Sequence, residues 1–150
     1  MKKMILIILI LTPLIHASFS RSNGIVTDNR SNLQWQDDYS DNNNTLKTST
    51  WQGAIDYCEA LTLNGHLDWR LPNINELQTL VDYGQYNPSL SSVFINQTPT
   101  RYWSSSTAAK NDSFSFSLSF PENAWIIDFF EGHSQRYFKN FDNYVRCIRQ

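Results

Sequence analysis

The segment Asp68–Leu77 constrains the fold more than any other part of the chain, because it separates two helical patterns. It reads Asp-Trp-Arg-Leu-Pro-Asn-Ile-Asn-Glu-Leu. Pro72 disfavours a helical conformation at Leu71, so a preceding helix cannot continue through the segment. Asn73 and Glu76 have the spacing of a capping box, which marks the start of a new helix. The segment therefore predicts an ordered corner between two helices.

Apolar residues repeat at helical spacing on both sides of this corner. The first helix is predicted to begin with a capping box at Ser49 and to end at Asn64-Gly65, with Cys58 on its apolar face. The second helix is predicted over Ile74–Tyr83. Apolar stripes of this kind are buried core far more often than ligand surface.

The period of the apolar residues changes to two in the C-terminal half. Ser113–Phe120 alternates serine with apolar residues, which is typical of a half-buried strand. Ala124–Phe130 and His133–Phe138 flank Glu131-Gly132, which predicts a hairpin, and Tyr144–Arg149 is the predicted last strand. Two helices followed by a twisted antiparallel sheet indicate the α+β class.

The first residues of the chain, 1–17, have the plan of a secretory signal peptide. Lys2 and Lys3 precede the apolar run Met4–Ile15, and Ala17 supplies a small residue before a cleavage site. The alternative is a membrane anchor, but this run is shorter than the about 20 residues that span a bilayer. We expect cleavage after residue 17, or as late as residue 20, and no membrane span afterwards.

The charge of the remaining protein limits its partners. Loss of the two leader lysines lowers the formal net charge from −2 to −4. An acidic domain lacks the basic surface that phosphate binding requires, so no nucleic-acid partner is expected. Residues 24–150 suffice for one domain with its own core.

The chain contains two cysteines, Cys58 and Cys147. In the oxidising environment outside the cytoplasm, a disulfide is the default for such a pair. The alternative is a redox or metal-binding pair, but neither cysteine lies in a Cys-x-x-Cys motif or beside a histidine. A structural disulfide is therefore the favoured interpretation.

Metal and catalytic sites find little support in the sequence. The acidic segment Asp37–Thr48 offers oxygen atoms that calcium prefers, but it lacks the glycine and the closing glutamate of an EF-hand loop. A solvated loop is the favoured interpretation, and no metal or cofactor is predicted. His66 and His133 lie in no nucleophile-elbow or zinc-binding pattern, so no catalytic residue is predicted either.

Six spaced blocks of the chain carry a family resemblance. They are Val26–Asn29 with Leu33–Gln36, Trp51–Cys58, Asp68–Leu77, Tyr102–Ser106, Trp125–Gly132 and Val145–Arg149. In this order they resemble the C-terminal domain family of bacterial collagen-like adhesins, the Lcl C-terminal domain. Arg70-Leu71-Pro72, Glu76 and Arg146-Cys147 also look like formylglycine-generating sulfatase modifiers.

Both resemblances imply a C-type-lectin-like fold, in which the N- and C-terminal strands pair and a disulfide joins the first helix to the last strand. Cys58 and Cys147 occupy those places. The adhesins bind sulfated glycosaminoglycans, whereas the modifiers oxidise a substrate cysteine with two active-site cysteines of their own. Calcium-dependent lectins use Glu-Pro-Asn with Trp-Asn-Asp, and this chain has only the differently ordered Pro121-Glu122-Asn123. A calcium-bridged sugar is therefore not expected.

The favoured function is non-catalytic adhesion or ligand recognition by a secreted, periplasmic or outer-surface bacterial protein, with a glycan or an envelope protein as partner. The alternatives are a formylglycine-generating-like oxidase and a structural envelope component. Because no collagen-like stalk occurs in the sequence, multivalency would come from self-association.

Aromatic residues and arginine carry most interface energy, so residues of these types near cations are the candidates for ligand contact. The predicted ligand-binding residues are Arg101, Tyr102, Trp103, Trp125, Arg136, Tyr137 and Lys139. By resemblance their cations would contact sulfate, although the charge of −4 opposes a polysulfate at long range. For Trp103 itself, core packing is the favoured interpretation and ligand contact is the alternative.

A structural role is predicted for the polar residues of the corner. Arg70 can act as a ligand clamp or can hold the corner together against Asp68, Glu76 or backbone carbonyls, and the second interpretation is favoured. Trp69 is expected to pack in the core.

Overall fold

The computed structural model describes residues 18–109 and 122–150. In order, the elements are β1 (Phe19–Ser22), β2 (Ile25–Asp28), β3 (Gln34–Gln36), β4 (Thr48–Ser49), α1 (Trp51–Ala60), α2 (Ile74–Gln78), β5 (Arg101–Thr107), β6 (Asn123–Asp128), β7 (His133–Phe138), β8 (Asn143–Tyr144) and β9 (Ile148–Arg149). This arrangement confirms the predicted α+β class. The predicted signal peptide, residues 1–17, and the predicted strand Ser113–Phe120 lie outside the described residues. No helix in the described part is long and apolar enough to cross a membrane.

The strands form two sheets, with the orders β1-β2-β3-β9 and β4-β8-β5-β6-β7. Among the described strands, neighbours pair antiparallel as predicted, except β5 and β8, which pair in parallel and make the second sheet mixed. The predicted hairpin at Glu131-Gly132 is confirmed. β6 and β7 pair in register from Asn123 opposite Phe138 to Asp128 opposite His133.

The predicted last strand, Tyr144–Arg149, is two strands in two sheets. β8 pairs with β4 and β5, whereas β9 pairs with β3, where Ile148 lies opposite Trp35. Between them, the carbonyl of Cys147 accepts a hydrogen bond from the amide of Gln36 at 2.9 Å. The chain therefore crosses from one sheet to the other within this segment.

Helix α1 is shorter than predicted at both ends. Its N-cap is Thr50, whose Oγ1 accepts a hydrogen bond from the amide of Gly53 at 3.4 Å. Ser49 lies one residue before this cap, where it is the last residue of β4 and pairs with Asn143 of β8. The helix ends at Ala60, and Asn64-Gly65 forms a separate turn in which both residues have positive φ.

The capping box of α2 is confirmed. Oδ1 of Asn73 accepts a hydrogen bond from the amide of Glu76 at 2.9 Å, and Oε2 of Glu76 accepts one from the amide of Asn73 at 2.8 Å. The helix stops at Gln78 and does not reach Tyr83, because the chain forms an extended bridge at Val81 instead.

The core lies on both faces of β5 and β6. Trp103 and Ile126 face α1, whereas Tyr102 and Ile127 face α2 and the N-terminal hairpin, and all of them are fully buried. The predicted disulfide is confirmed: Cys58–Cys147 lies within the first cluster and joins residues 89 positions apart. It ties α1 to the segment that crosses between the sheets.

Candidate functional site

Three aromatic side chains form a surface at β7, which is an edge strand among the strands that the structure describes, and at the turn that follows it. The ring of Tyr137 lies 6.2 Å from that of the buried Trp103 and 5.8 Å from that of Phe141, measured between centroids. Phe138 lies 6.2 Å from Phe141. Phe138 and Phe141 are 38% and 52% exposed. We call Tyr137, Phe138 and Phe141 the aromatic edge.

The aromatic edge follows from strand geometry. Tyr137 and Phe138 are consecutive in β7, so their side chains point to opposite faces and only one of them can face the core. The amide of Phe141 donates to the carbonyl of Phe138 at 3.2 Å, which turns the chain back beside the strand. Phe138 and Phe141 were not among the predicted site residues. The signal that could have found them is this pair of consecutive aromatic residues on an edge strand.

Arg101 lies against the ring of Tyr137, and its guanidinium carbon is 4.8 Å from the ring centroid. Its Nη1 donates to the Tyr137 hydroxyl at 3.1 Å, and its Nε is 3.6 Å from Oδ2 of Asp128. Asp128 is the residue opposite Arg101 in the pairing of β5 with β6. This cation is therefore already paired with a carboxylate and a ring of the same domain.

Lys139 is held in a similar way at the start of α1. Its Nζ lies 3.8 Å from the centroid of the Trp51 ring, and is 3.1 Å from both Oε2 of Glu122 and Oγ1 of Thr107. Trp51, Glu122 and Lys139 line a shallow cleft of about 440 Å³. The positive charge of Lys139 is largely compensated by the carboxylate of Glu122.

Trp125 and Arg136 lie opposite each other in the pairing of β6 with β7. Because side chains alternate along a strand, both are on the face of the sheet that Tyr137 does not occupy. Trp125 is half-buried and Arg136 is exposed. The predicted ligand-binding residues therefore do not converge on one surface.

Tyr102 and Trp103 are both fully buried, so the prediction that Tyr102 is exposed is wrong, whereas the core packing favoured for Trp103 is confirmed. The indole Nε1 of Trp103 donates to the carbonyl of Ser49 at 2.9 Å, and burial raises the pKa of the Tyr102 hydroxyl. β5 lies inside the sheet with core on both faces, so consecutive residues can both be buried.

The corner residues lie where α2 meets the C-terminal strand. Arg70 pairs with Glu76, and its backbone exchanges two hydrogen bonds with Ile148 of β9, at 2.9 and 2.8 Å. Asp68 accepts a hydrogen bond from Nε of Arg149 at 2.8 Å, which lowers the pKa of that carboxyl. Trp69 is buried.

Asp37 is fully buried, so the prediction of a solvated loop is wrong at this residue. One carboxylate oxygen lies 3.4 Å from Nη1 of the equally buried Arg146, and the other accepts from Nε of Arg21 at 2.6 Å. The amides of Ile95 and Asn96 donate to the same carboxylate, each at 3.1 Å. This ionic cluster holds the loop before β5 in place and is part of the buried interior of the domain.

The groups at these sites can bind a ligand through packing and hydrogen bonds. Within residues 18–109 and 122–150, no three His, Cys, Asp or Glu side chains converge as ligands for a metal. Both cysteines of the chain are consumed by the disulfide. A ligand at the described surface would meet aromatic rings and cations that are already paired with carboxylates.

The comparisons with known proteins add one finding. A search of curated proteins finds no match to the chain. A family model described as "Lcl C-terminal domain" matches residues 24–149, which is most of the chain and includes the aromatic edge and the corner residues. The chain therefore belongs to the Lcl C-terminal domain family.

Proposed function

We propose that the chain is an exported, non-catalytic binding domain that recognises a glycan or a protein at the bacterial envelope or outside the cell. The proposal includes a C-type-lectin-like fold and self-association as the source of multivalency. The observation that carries it is the aromatic edge, where the phenyl rings of Phe138 and Phe141 are exposed at the end of β7, the outermost described strand of its sheet. Contiguous exposed aromatic surface marks interaction sites on soluble domains.

The aromatic edge is prepared for binding before a ligand arrives. Phe141 contacts both Tyr137 and Phe138, and Tyr137 rests on the buried Trp103. Rings that are already fixed by packing lose little conformational entropy when a ligand covers them. Their burial under a ligand would also remove apolar surface from water.

The charges near the aromatic edge favour a weakly charged ligand over a polysulfate. Arg101 is engaged by Asp128, and Lys139 by Glu122. A sulfate group would have to compete with these carboxylates, and the net charge of −4 for the chain without its leader would repel it further. We therefore expect binding that changes little with salt concentration.

The disulfide supports the non-catalytic part of the proposal. An oxidase of the formylglycine-generating type needs reactive thiols, and Cys58 and Cys147 are fully buried in one bond. Thiol titration of the native protein should therefore find no reactive thiol. Rapid reaction of both cysteines in an active protein would contradict the proposal and favour the oxidase.

The direct test is a glycan array and an envelope-protein binding screen with the exported protein, with and without calcium and at two salt concentrations. Any ligand found is then titrated against Phe141→Ala, with Leu67→Ala as the matched control. Leu67 is 72% exposed, but it lies in the segment between the helices and outside the aromatic edge. We expect Phe141→Ala to weaken binding about tenfold, and Leu67→Ala to leave it unchanged. Equal affinities of wild type and Phe141→Ala would overturn the aromatic edge as the site.

A further inference from the structure

We infer that the domain has a second binding site, for a neutral saccharide, in the cleft between the β2–β3 turn and the segment that follows α2. The cleft has a volume of about 460 Å³. Its lining includes the polar or aromatic residues Asp28, Arg30, Thr79, Asp82, Tyr83 and Ser91. It shares no residue with the aromatic edge. The inference relies on the proposed function only for a binding role outside the cytoplasm.

Asp28 presents a carboxylate that is already oriented. Its Oδ1 accepts a hydrogen bond from the amide of Arg30 at 2.9 Å, and its Oδ2 accepts one from the hydroxyl of Ser31 at 2.8 Å. Each carboxylate oxygen can accept about two hydrogen bonds, so each retains capacity for a ligand hydroxyl. The residue is largely buried, at 8% exposure, and cannot easily turn away from the cleft.

Asp82, on the other wall, is fixed in the same manner. Its Oδ1 accepts from the amide of Gly84 at 2.9 Å, and its Oδ2 accepts from Nε2 of Gln85 at 2.8 Å. The backbone amide of Asp82 donates to the carbonyl of Ser89 at 3.0 Å, which holds this wall against the neighbouring chain. Two residues with oriented carboxylates therefore line the same cleft, and each carboxylate has acceptor capacity left.

Tyr83 supplies a flat apolar face at the mouth of the cleft. Its side chain is 77% exposed, yet its hydroxyl accepts a hydrogen bond from Nε2 of Gln78 at 2.7 Å, which limits its rotation. An exposed tyrosine held in this way offers contact area at a low entropic cost.

The combination of groups selects the ligand class. A pyranose ring has hydroxyls that donate to carboxylates and accept from a guanidinium, and it has a C–H face that packs on an aromatic ring. Asp28 and Asp82 against Arg30 leave one negative charge in excess, which repels sulfate, phosphate and carboxylate groups. The site therefore fits a neutral sugar unit and disfavours the sulfated polymers that the family resemblance suggests.

The test is a titration followed by protein NMR, with maltotriose, chitotriose and mannotriose as neutral probes and a heparin tetrasaccharide as the sulfated one. The exported wild type is compared with Tyr83→Ala and Asp82→Asn. Tyr86→Ala is the matched control, because Tyr86 lies in the same segment and is also exposed, but packs on Phe130 and does not line the cleft. Phe141→Ala separates this site from the aromatic edge.

We expect at least one neutral trisaccharide to bind wild type and to perturb the resonances of residues 79–83. Loss of the Tyr83 ring should weaken that binding about five- to tenfold, as expected for one aromatic contact, and Asp82→Asn should weaken it as well. Tyr86→Ala and Phe141→Ala should bind like wild type. The inference is overturned if none of the neutral trisaccharides binds, if the heparin fragment binds in their place, or if Tyr83→Ala retains wild-type affinity. Loss of binding in Phe141→Ala alone would place the saccharide at the aromatic edge.

Discussion

Arg70 and Glu76 form a two-point ion pair at the start of α2, in which Nη1 donates to Oε2 at 2.8 Å and Nη2 to Oε1 at 2.6 Å. The same carboxylate accepts the amide of Asn73, so it serves the capping box and the guanidinium together. The backbone of Arg70 also bridges Ile148 in the last strand. One side-chain pair therefore connects the corner, the second helix and the C-terminus of the domain.

Replacement of Arg70 by lysine should lower the stability of the domain. An ammonium group cannot reproduce the planar fork that meets both oxygens of Glu76. The guanidinium is 45% exposed, so the expected loss is small, about 0.5–1 kcal/mol by urea unfolding. Arg30→Lys, in the cleft on the β2–β3 turn, is the control and should unfold like wild type. Unchanged stability of Arg70→Lys together with lost ligand binding would show that Arg70 is a ligand clamp.

The Arg70–Glu76 pair should also contribute to acid sensitivity. The hydrogen bond from Arg70 is the main reason why the pKa of Glu76 is lowered in the folded state. A carboxyl with a lowered folded pKa stabilises the protein fully above its unfolded pKa, about 4.3, and this contribution is lost as the pH falls through the folded pKa. The stability difference between wild type and Glu76→Gln should therefore be largest near neutral pH and shrink below about pH 4.3. Urea unfolding from pH 3 to pH 7 measures this stability difference. A stability difference that does not change with pH would contradict the contribution of the Arg70–Glu76 pair to acid sensitivity.

Local signals in the sequence were sufficient for the parts of the fold that local interactions decide. The capping box at Asn73 and the turn at Glu131-Gly132 each depend on a few neighbouring residues. The disulfide could be predicted because two cysteines allow only one pairing. The corner was recognisable for the same reason, since Pro72 acts on its own neighbours. Helix ends were less certain because they depend on competing strand pairs, as Ser49 in β4 shows.

Burial by distant partners could not be predicted from the sequence. The burial of Asp37 could not be predicted because its cations are distant in sequence: Arg21 lies 16 positions before it and the buried Arg146 lies 109 positions after it. The burial of Tyr102 could not be predicted because a strand with core on both faces shows no alternation to distinguish inside from outside. The cleft beside Tyr83 depends on the approach of the β2–β3 turn, which no local pattern indicates.

Asp37→Ala should be strongly destabilising. The substitution leaves the fully buried Arg146 without its carboxylate and removes the acceptor of two backbone amides. Breaking a buried pair in this way costs about 3–5 kcal/mol. Asp38→Ala is the matched neighbour: its carboxylate accepts the amide of Ser40 at 2.8 Å in a more exposed position, and about 1 kcal/mol is expected. Urea unfolding measures the loss of unfolding free energy in both variants. Similar losses would show that the buried ionic cluster contributes little to stability.

Gly132→Ala should destabilise the domain more than Gly65→Ala, although both glycines have nearly the same left-handed backbone, with φ of +78° and +77°. At Gly65 an added Cβ would meet nothing within 4 Å, so only the backbone strain of about 1 kcal/mol is expected. At Gly132 it would lie 2.6 Å from Cγ1 of Val81 and 2.9 Å from Oγ of Ser89. Ser89 is buried and donates to the carbonyl of Phe129, so relieving the clash adds about 1–3 kcal/mol. Urea unfolding of both variants measures the two losses of stability, and their difference gives the cost of the clash at Gly132. Equal losses would mean that the wall of the cleft that carries Tyr83 is not packed against the β6–β7 turn.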